Sequence, residues 1–335
     1  MADRINWGIL GTGRIATKFA QGLASAPQAK LLAVGSRAET SASEFAKRFD
    51  IPRPYTGYET LVADPDLDVI YVSSPHALHF EHTLLALQAG KPVLCEKPFT
   101  LNEAEVKQLV DEARQRDLFL MEGMWTRFFP LMDTLQALIS EGALGELQML
   151  AADLGIRRTI ETRERLFRPD LGGGALLDVG VYPVSFASLL FGEPERIESM
   201  AQFGTYGVDE RAGVLLGYSN GALASIYMAI RTETPQEAIL LGTQGMIRIH
   251  ANFVIPTRMT VSIQGEPDRV IEEPLVGNGM HYEAEEVMRC LKQGWRESPR
   301  MPLDESVSVM RTLDRIREQW NFHYPSELNS QEIGE

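Results

Sequence analysis

The first third of the chain alternates short apolar runs with longer segments of helical periodicity. The apolar runs predict strands at residues 5–10, 30–35, 69–72, 92–95 and 118–121. The segments between them predict helices at residues 14–25, 39–49, 78–89 and 102–116, the last with Asn102 as its N-cap. Strands that alternate with helices are typical of βαβ units, in which helices cover both faces of a parallel sheet.

The pattern changes after Trp125. Residues 196–274 contain a succession of strand-like runs, and the dipeptide Asn220-Gly221 predicts a type I′ hairpin turn. Helices are predicted at residues 130–140, from 172 to about 191, at 282–293 and at 304–320. We therefore predict an α/β domain with a parallel sheet at residues 1–122. A second, α+β domain at residues 123–335 would hold a large open, mainly antiparallel sheet, and its last helix could pack back near the first domain.

One predicted strand, at residues 222–231, is apolar on both faces. Alternate positions place two sets on opposite faces, namely Ala222, Ala224, Ile226, Met228 and Ile230 against Leu223, Ser225, Tyr227 and Ala229. A half-solvated antiparallel strand should alternate apolar with polar residues, so both faces are expected to be covered. A second copy of the chain covering one face is the favoured interpretation, and a monomer whose own helices cover both faces is the alternative.

Composition narrows the class of protein. The 335 residues carry a net charge of −14, which repels phosphate backbones and argues against non-specific nucleic-acid binding. Two cysteines cannot form a disulfide framework, and a reducing compartment suits them best. We find no secretory signal pattern and no apolar run near the roughly 20 residues of a membrane helix. The chain is expected to be soluble and cytoplasmic, with no membrane partner.

A glycine motif follows the first predicted strand and begins the first helix. Its sequence, Gly11-Thr12-Gly13-Arg14-Ile15-Ala16, fits the dinucleotide-binding pattern of the Rossmann fold. Gly11 permits a tight turn, Gly13 lets a pyrophosphate approach the backbone, and the helix N-terminus favours an anion. Gly11, Thr12, Gly13, Arg14 and Ile15 are therefore candidate cofactor-binding residues. The alternative is a glycine-rich connection in a fold that binds nothing.

The second predicted strand ends in Gly35-Ser36-Arg37, where NAD enzymes usually place an acidic residue for the ribose. A guanidinium at this position can pair with a 2′-phosphate and lie on the adenine ring. Ser36 and Arg37 thus favour NADP. The alternative is a solvated arginine in a site that also accepts NAD.

Two further segments carry candidate chemistry. Cys95-Glu96-Lys97-Pro98 ends a predicted strand, where Lys97 could hold a substrate hydroxyl and Pro98 could adopt a cis bond. After the triplet at residues 172–174, Asp178 and Tyr182 are four residues apart on a predicted helix, so they share a face. They could form an acid/base pair, or they could be a helix-start carboxylate and a packed ring.

Two other groups of residues have the chemistry of a metal site or of a substrate pocket. His76, His79 and His82 have helical spacing, but no Cys or carboxylate completes a zinc pattern, so no metal is expected. Trp125, Arg127 and Phe128 could form the floor of a sugar or diol pocket, or they could pack between domains.

These motifs together resemble the Gfo/Idh/MocA oxidoreductase family. The resemblance covers the whole chain and rests on the glycine loop, Ser73-Ser74-Pro75 with His79, Glu96-Lys97-Pro98, and the triplet at residues 172–174 followed by Asp178. Most of that family has His where this chain has Tyr182. With the segment at residues 121–128, Tyr182 resembles the branch of dimeric dihydrodiol dehydrogenases and NADP-dependent D-xylose dehydrogenases.

The resemblance implies specific roles. It implies a catalytic centre of Lys97, Asp178 and Tyr182, and a dimer formed through the open sheets. It also implies cofactor contacts from a set of residues at the ends of the predicted strands 69–72 and 92–95, namely Ser73, Ser74, Pro75, His79, Glu96 and Lys97.

The expected reaction is hydride transfer between nicotinamide C4 and a hydroxyl carbon of a sugar, polyol or cyclic trans-diol. Tyr182 would be the general acid/base. A free phenol titrates near pH 10, and the ammonium group of Lys97 would favour its phenolate. The alternative is a catalytically silent protein of the same fold that senses NADP and sugars and regulates a partner.

Overall fold

The structure is a computed structural model that describes residues 4–331. The chain forms two compact units. The first contains the residues up to Phe128 together with Leu275–Val307, and the second contains Phe129–Pro274 together with the residues from Ser308 onward. The predicted boundary at residue 122 therefore differs from the observed division, because residues 123–128 and 275–307 belong to the first unit.

A parallel sheet of six strands forms the centre of the first unit. The strands are β1 (Ile5–Leu10), β2 (Ala29–Ser36), β3 (Arg53–Thr56), β4 (Val69–Val72), β5 (Val93–Glu96) and β6 (Leu120–Gly123). Their order, β3-β2-β1-β4-β5-β6, is that of the doubly wound Rossmann fold, which confirms the predicted fold class. Ligands in such sheets bind outside the carboxyl ends of the strands, near the reversal of strand order at β1 and β4.

Helices surround this sheet. They are α1 (Arg14–Leu23), α2 (Glu39–Phe49), α3 (Tyr58–Val62), α4 (His79–Gln88) and α5 (Glu103–Gln115). Asn102 caps α5 as predicted, since its side chain accepts a hydrogen bond from the Glu105 N–H at 3.0 Å. A helix from much later in the chain, Met280–Gln293, joins this unit, and Asn278 just before it donates to the Lys18 carbonyl at 2.7 Å.

Aromatic packing holds α1 on the sheet. The buried face of α1 repeats at helical spacing and includes Phe19. The ring of Phe19 stacks on Tyr71 of β4 with centroids 3.6 Å apart, and it contacts Trp7 of β1 at 5.3 Å. All three rings are fully buried, so the helix that begins at the glycine motif is fixed firmly against β1 and β4.

The second unit is built on a mixed sheet of eight strands. They are β7 (Leu147–Gly155), β8 (Arg196–Phe203), β9 (Asp209–Gly217), β10 (Leu223–Ala229), β11 (Ala238–Gly242), β12 (Gly245–Ile249), β13 (Arg258–Ile263) and β14 (Arg269–Glu272). Their order is β14-β13-β12-β11-β7-β10-β9-β8. Only the β7–β10 pair is parallel, so the sheet is mainly antiparallel as predicted, although β7 itself was not predicted.

The helices of this unit include the segment that carries Asp178 and Tyr182. They are α6 (Pro130–Ser140), α7 (Ile160–Arg163) and α8 (Val181–Phe191), followed after Met280–Gln293 (α9) by α10 (Leu303–Glu318) and α11 (Pro325–Gln331). Contrary to the sequence expectation, residues 169–191 are long and apolar enough for a membrane helix by length and composition. However, 67% of its most apolar stretch is buried inside the protein, as in a core helix.

The turn between β9 and β10 differs from its prediction. Gly221 has a φ of +84°, but Asn220 is not among the residues with positive φ, as a type I′ turn would require. Instead, the Gly221 N–H donates to the Tyr218 carbonyl at 2.9 Å and the Tyr218 N–H donates to the Ala222 carbonyl at 3.0 Å. This is a three-residue loop with a left-handed glycine, so glycine is needed at one position rather than two.

The two faces of β10 have different environments. Ala224, Ile226 and Met228 are buried, whereas Ser225 and Tyr227 are exposed. Tyr227 keeps 45% of its surface accessible in the described chain. The alternative in which helices of the same chain cover both faces is therefore wrong for the residues that the structure describes.

Candidate active site

The glycine motif forms an open cradle at the carboxyl end of β1. Gly11 has a φ of +110°, and a Cβ atom there would lie 3.0 Å from the Ser73 hydroxyl. At Gly13 a Cβ atom would meet nothing within 4 Å, so open space faces the backbone at the start of α1. No side chain caps α1 and no acidic residue lies in its first turn. These features fit a dinucleotide pyrophosphate, which the free N–H groups of the helix end would bind.

The loops after β4 and β5 are joined by His79. Its ring is fully buried, with Nδ1 2.7 Å from the Pro98 carbonyl and Nε2 2.9 Å from the Ser74 carbonyl. Ser73 donates to the Leu10 carbonyl at 2.9 Å, which ties the end of β4 to that of β1. The predicted cofactor residues of these loops therefore lie together, and Pro75 is half-buried beside them.

The end of β2 carries an exposed cation. Ser36 is buried, with its hydroxyl 3.4 Å from that of Thr12, whereas Arg37 is exposed. Tyr58 lies next to Arg37, and the guanidinium partly offsets the burial that raises the pKa of this phenol. His82 packs edge-on against Tyr58 at 4.6 Å, and burial lowers its pKa. The sequence did not identify Tyr58 as part of this cluster.

The first unit also contains a pair of buried carboxyl groups, those of Glu96 and Glu283. Glu96, predicted to contact the cofactor, is buried and accepts a hydrogen bond from the Tyr71 hydroxyl. Glu283 of α9 is fully buried, and within residues 4–331 neither of its carboxyl oxygens has a hydrogen-bond partner. Burial and the neighbouring Glu96 raise the pKa of Glu283 well above its usual value, and burial also raises that of Glu96. Burial therefore favours the protonated form of Glu283.

Lys97 is half-buried and follows β5, and its peptide bond to Pro98 is cis. The segment at residues 125–128, which the sequence suggested as a pocket floor, is largely packed into the protein. Arg127 is 3% exposed and binds Glu305 through two hydrogen bonds of 2.6 and 2.8 Å. Phe128 is buried, with the Arg300 guanidinium 5.2 Å from its ring centroid. These contacts all lie within the first unit, so they make Arg127 and Phe128 part of its packing and are not the packing between domains that the sequence suggested. Trp125 is half-buried.

Asp178 and Tyr182 lie on one continuous helical segment of the second unit. A π-helical turn, Leu176–Gly180, carries Asp178 and leads directly into α8, which carries Tyr182. Such turns are rare in proteins, and those that occur are often found at functional sites. Asp178 forms an ion pair with Arg165, a residue that the sequence did not single out. Both Asp178 and Tyr182 keep partial exposure, which the roles predicted from the sequence require.

The predicted site residues divide between the two units. The glycine loop, Arg37, His79 and Lys97 belong to the first unit, and Asp178 and Tyr182 belong to the second. Among the described residues, no group of three His, Cys, Asp or Glu side chains could hold a metal ion. His79 instead uses its ring nitrogens on backbone carbonyls.

Comparison with known families matches both parts of the chain. Residues 5–124 match the family described as "Oxidoreductase family, NAD-binding Rossmann fold", and residues 132–248 match the "GFO/IDH/MocA C-terminal domain". The chain belongs to the Gfo/Idh/MocA oxidoreductase family. The resemblance found in the sequence is thereby confirmed, and the first unit is an NAD(P)-binding Rossmann domain.

Relatives within the Gfo/Idh/MocA family match over nearly the full length. The trans-1,2-dihydrobenzene-1,2-diol dehydrogenase of Xenopus laevis is 38% identical over 330 residues, with 95% of this chain and 99% of that protein covered. The human protein of the same name is 37% identical over 334 residues, with 96% and 99% covered.

Two solved structures share the Gfo/Idh/MocA fold. A 3-ketoreductase from Actinomadura kijaniata in complex with NADP and TDP-benzene is 26% identical, with a TM-score of 0.84 over 94% of this chain and 98% of that chain. A levoglucosan dehydrogenase in complex with NADH has a TM-score of 0.87 at 19% identity, over 94% and 96% of the two chains. The likeness to the second structure concerns the fold alone.

Proposed function

We propose that this protein is an NADP-preferring dehydrogenase that acts on a secondary or anomeric alcohol of a sugar, polyol or cyclic trans-diol. One observation carries the proposal: a partly exposed phenol, Tyr182, follows a partly exposed carboxylate, Asp178, on one helical segment of an NAD(P)-binding oxidoreductase. When bound, the nicotinamide supplies the site that accepts hydride from the alcohol carbon, or donates it in the reverse direction.

The proton of the alcohol needs a separate acceptor. In oxidation, with a bound nicotinamide to accept the hydride, the Tyr182 phenolate would take the hydroxyl proton as the alcohol carbon becomes a carbonyl carbon. In reduction, the Tyr182 hydroxyl returns the proton to the carbonyl oxygen. We assign Lys97 to hold the reacting hydroxyl, because an ammonium group can donate a hydrogen bond to an oxygen atom.

Asp178 is assigned to orient the substrate. Its carboxylate is fixed by the ion pair with Arg165 and remains partly exposed, and a carboxylate can accept a hydrogen bond from a substrate hydroxyl group. Trp125 is a candidate face for a sugar or diol ring, since it is half-buried whereas Arg127 and Phe128 are committed to packing.

The substrate class is supported by the relatives. Two of them are named for a trans-diol of a cyclic dihydrobenzene, and one solved structure is a 3-ketoreductase with NADP bound. A diol dehydrogenase and a ketoreductase both interconvert a hydroxyl-bearing carbon and a carbonyl carbon. The full-length match with the diol dehydrogenases favours a cyclic diol or sugar over an open-chain substrate.

The preference for NADP is supported by the end of β2. Arg37 is exposed there beside Tyr58, and the stretch from Gly35 to Ala38 contains no carboxylate. Since the whole chain has a net charge of −14, a local cation is needed to bind a 2′-phosphate.

We also propose that two copies pair through the open face of the eight-stranded sheet. Exposed apolar side chains of the neighbouring strands lie on the same face of the sheet as Tyr227. These side chains are Met149, Met200, Leu215 and Met246. Met200 alone is 80% exposed, which is unusual for a large apolar side chain on a regular sheet. A self-complementary two-fold contact would bury this patch, and large exposed apolar patches are typical of interfaces.

A cytoplasmic location is the corresponding proposal for the cellular setting. Cys95 and Cys290 are both buried free thiols, and the protein uses no disulfide for stability. This usage suits a reducing compartment.

The function is tested by a spectrophotometric screen. Pyranose sugars, polyols and cyclic trans-diols are offered with NADP or NAD, and the absorbance of the reduced cofactor is followed. We expect turnover with at least one sugar or trans-diol and a higher kcat/KM with NADP. Tight cofactor binding without turnover on any of them would support the sensor alternative instead.

A further inference from the structure

A buried carboxylate lies at the start of the helical segment that carries Asp178 and Tyr182. Asp209, the first residue of β9, is only 1% exposed. Its Oδ2 atom accepts a hydrogen bond from the Leu176 N–H at 2.7 Å, and the Ala175 N–H also donates to this carboxylate. Leu176 is the first residue of the π-helical turn, so Asp209 binds the free N–H groups at that end of the segment.

The preceding glycine turn is shaped to admit this carboxylate. Gly174 has a φ of +115°, and a Cβ atom there would overlap with Oδ1 of Asp209. From another side, the Tyr324 hydroxyl donates to the Gly173 carbonyl at 2.8 Å. The turn that precedes the catalytic segment is therefore held by two buried side chains, one from β9 and one from the residue before α11.

Charged groups surround this contact. Arg317 of α10 is buried, binds Glu327 at 2.8 and 2.9 Å and Asp314 at 2.7 Å, and lies 5.0 Å from the Tyr324 ring centroid. Burial raises the pKa of Asp209 to about 7, although the two N–H donors and the Arg317 charge oppose this rise. Among the described residues, the charged groups with the largest effects on Asp209 or its neighbour Tyr324 include Arg317, Glu327 and Arg165.

We propose that Asp209 is a positioning residue for the reaction, because its ionised carboxylate fixes the first turn of the segment that holds Asp178 and Tyr182. The proposal rests on the proposed function for the roles of those two residues. Asp178 is two positions beyond the Leu176 N–H that Asp209 binds, and Tyr182 is six positions beyond it. A small displacement of this turn therefore moves both side chains together.

The size of the effect follows from two general properties. Hydrogen bonds to an ionised carboxylate are roughly twice as strong as neutral ones, and a carboxylate also complements the positive end of a helix dipole. Misplacement of reacting groups by about 1 Å can cost on the order of 100-fold in rate. Protonation of Asp209 removes the charge, so activity should fall as the pH drops below about 7.

The test compares Asp209→Asn with the parent and with Asp268→Asn, a matched control at an exposed position between β13 and β14. Asparagine keeps the shape and one acceptor oxygen but carries no charge. We expect kcat at pH 8 to fall about 10- to 100-fold in Asp209→Asn, with little change in the cofactor Kd. The step in kcat near pH 7 should disappear in this variant and remain in Asp268→Asn.

A second measurement does not depend on catalysis. Hydrogen exchange of the peptide that contains Ala175 and Leu176 should become at least 10-fold faster in Asp209→Asn at pH 8. Tyr324→Phe, which loses only the hydrogen bond to Gly173, should also make hydrogen exchange of this peptide faster. Unchanged exchange in Asp209→Asn would overturn the proposal.

The kinetic outcomes separate this proposal from the proposed function. Parent-like kcat and pH profile in Asp209→Asn, with a defective Tyr182→Phe, would overturn the positioning role alone. Parent-like kcat in Tyr182→Phe would overturn the proposed function, and the positioning role with it.

Discussion

The Arg165 guanidinium forms an ion pair with the Asp178 carboxylate, four residues before Tyr182 on the same helical segment. The contact lies within the second unit, and Asp178 is the more buried partner, with a side chain 14% exposed. Because an ion pair restricts the conformations of both side chains, Arg165 is expected to hold Asp178 in one rotamer.

Replacing Arg165 with methionine should therefore lower kcat/KM by about 10- to 100-fold. This is the effect of losing one hydrogen bond to a charged group, which contributes about 1.5–3 kcal/mol. The matched control is Arg157→Met, an exposed arginine of the same region. Steady-state kinetics decide the matter. Equal kcat/KM in both variants would mean that the ion pair has no part in the reaction.

Arg37 is expected to select NADP. Arg37→Ala should weaken NADP binding by about 10- to 100-fold with little effect on NAD, because only NADP carries the 2′-phosphate. The NADP affinity of the parent should also fall more steeply with salt than its NAD affinity, since the contact is exposed. Fluorescence titration at two salt concentrations measures both effects.

The control for this test is Arg48→Ala, an exposed arginine over the Phe49 ring of α2. Equal losses of NADP and NAD in Arg37→Ala would indicate that Arg37 only stacks on adenine. A parent that prefers NAD would overturn the assignment.

The open sheet face is expected to be a dimer interface. Tyr227→Lys should give monomers, because the substitution places a charge in the centre of the exposed apolar patch. Val276→Lys, at a position 53% exposed in the first unit, is the matched control and should remain dimeric. Sedimentation at micromolar concentration measures both. A monomeric parent would end this proposal.

The buried Glu283 should make stability depend on pH. Its pKa is raised in the folded protein, so the unfolded chain releases this proton first, and stability falls as the pH rises above the ordinary value near 4.5. Glu283→Gln cannot lose a proton at this position. The unfolding midpoint of Glu283→Gln minus that of the parent should therefore increase from pH 5 to pH 8. The increase should be about 2–4 °C for each kcal/mol of stability that the parent loses over this range.

Thermal unfolding at the two pH values checks this prediction, and Glu44→Gln on the exposed face of α2 is the control. The same pH dependence in the parent and in Glu283→Gln would mean that Glu283 ionises normally in the folded chain.

Local signals in the sequence predicted much of the first unit. The strand Ile5–Leu10 and the helix Glu39–Phe49 have the predicted bounds, and Asn102 caps its helix, because each depends on residues close together in the chain. The glycine motif was equally visible, since its turn, its open backbone and its helix start are consecutive residues.

Features that depend on tertiary packing were not predictable in this way. Strand β7, Leu147–Gly155, contains no β-branched or aromatic residue, and it becomes a strand because β10 and β11 pair with it on both sides. Arg165, Asp209 and Glu283 carry no motif. Each gains its role from a partner in another segment, so only the structure could identify them.

The role of Tyr182 is the central claim, and the measurement that tests it most directly is the turnover of Tyr182→Phe. Phenylalanine keeps the ring and removes only the group that carries the proton. We predict a fall in kcat of about 100-fold or more with a nearly unchanged cofactor Kd, since general acid–base catalysis contributes about 10²–10⁴-fold. Tyr206→Phe, at an exposed tyrosine of the same unit, should keep the parental kcat. A parental kcat in Tyr182→Phe would contradict the account.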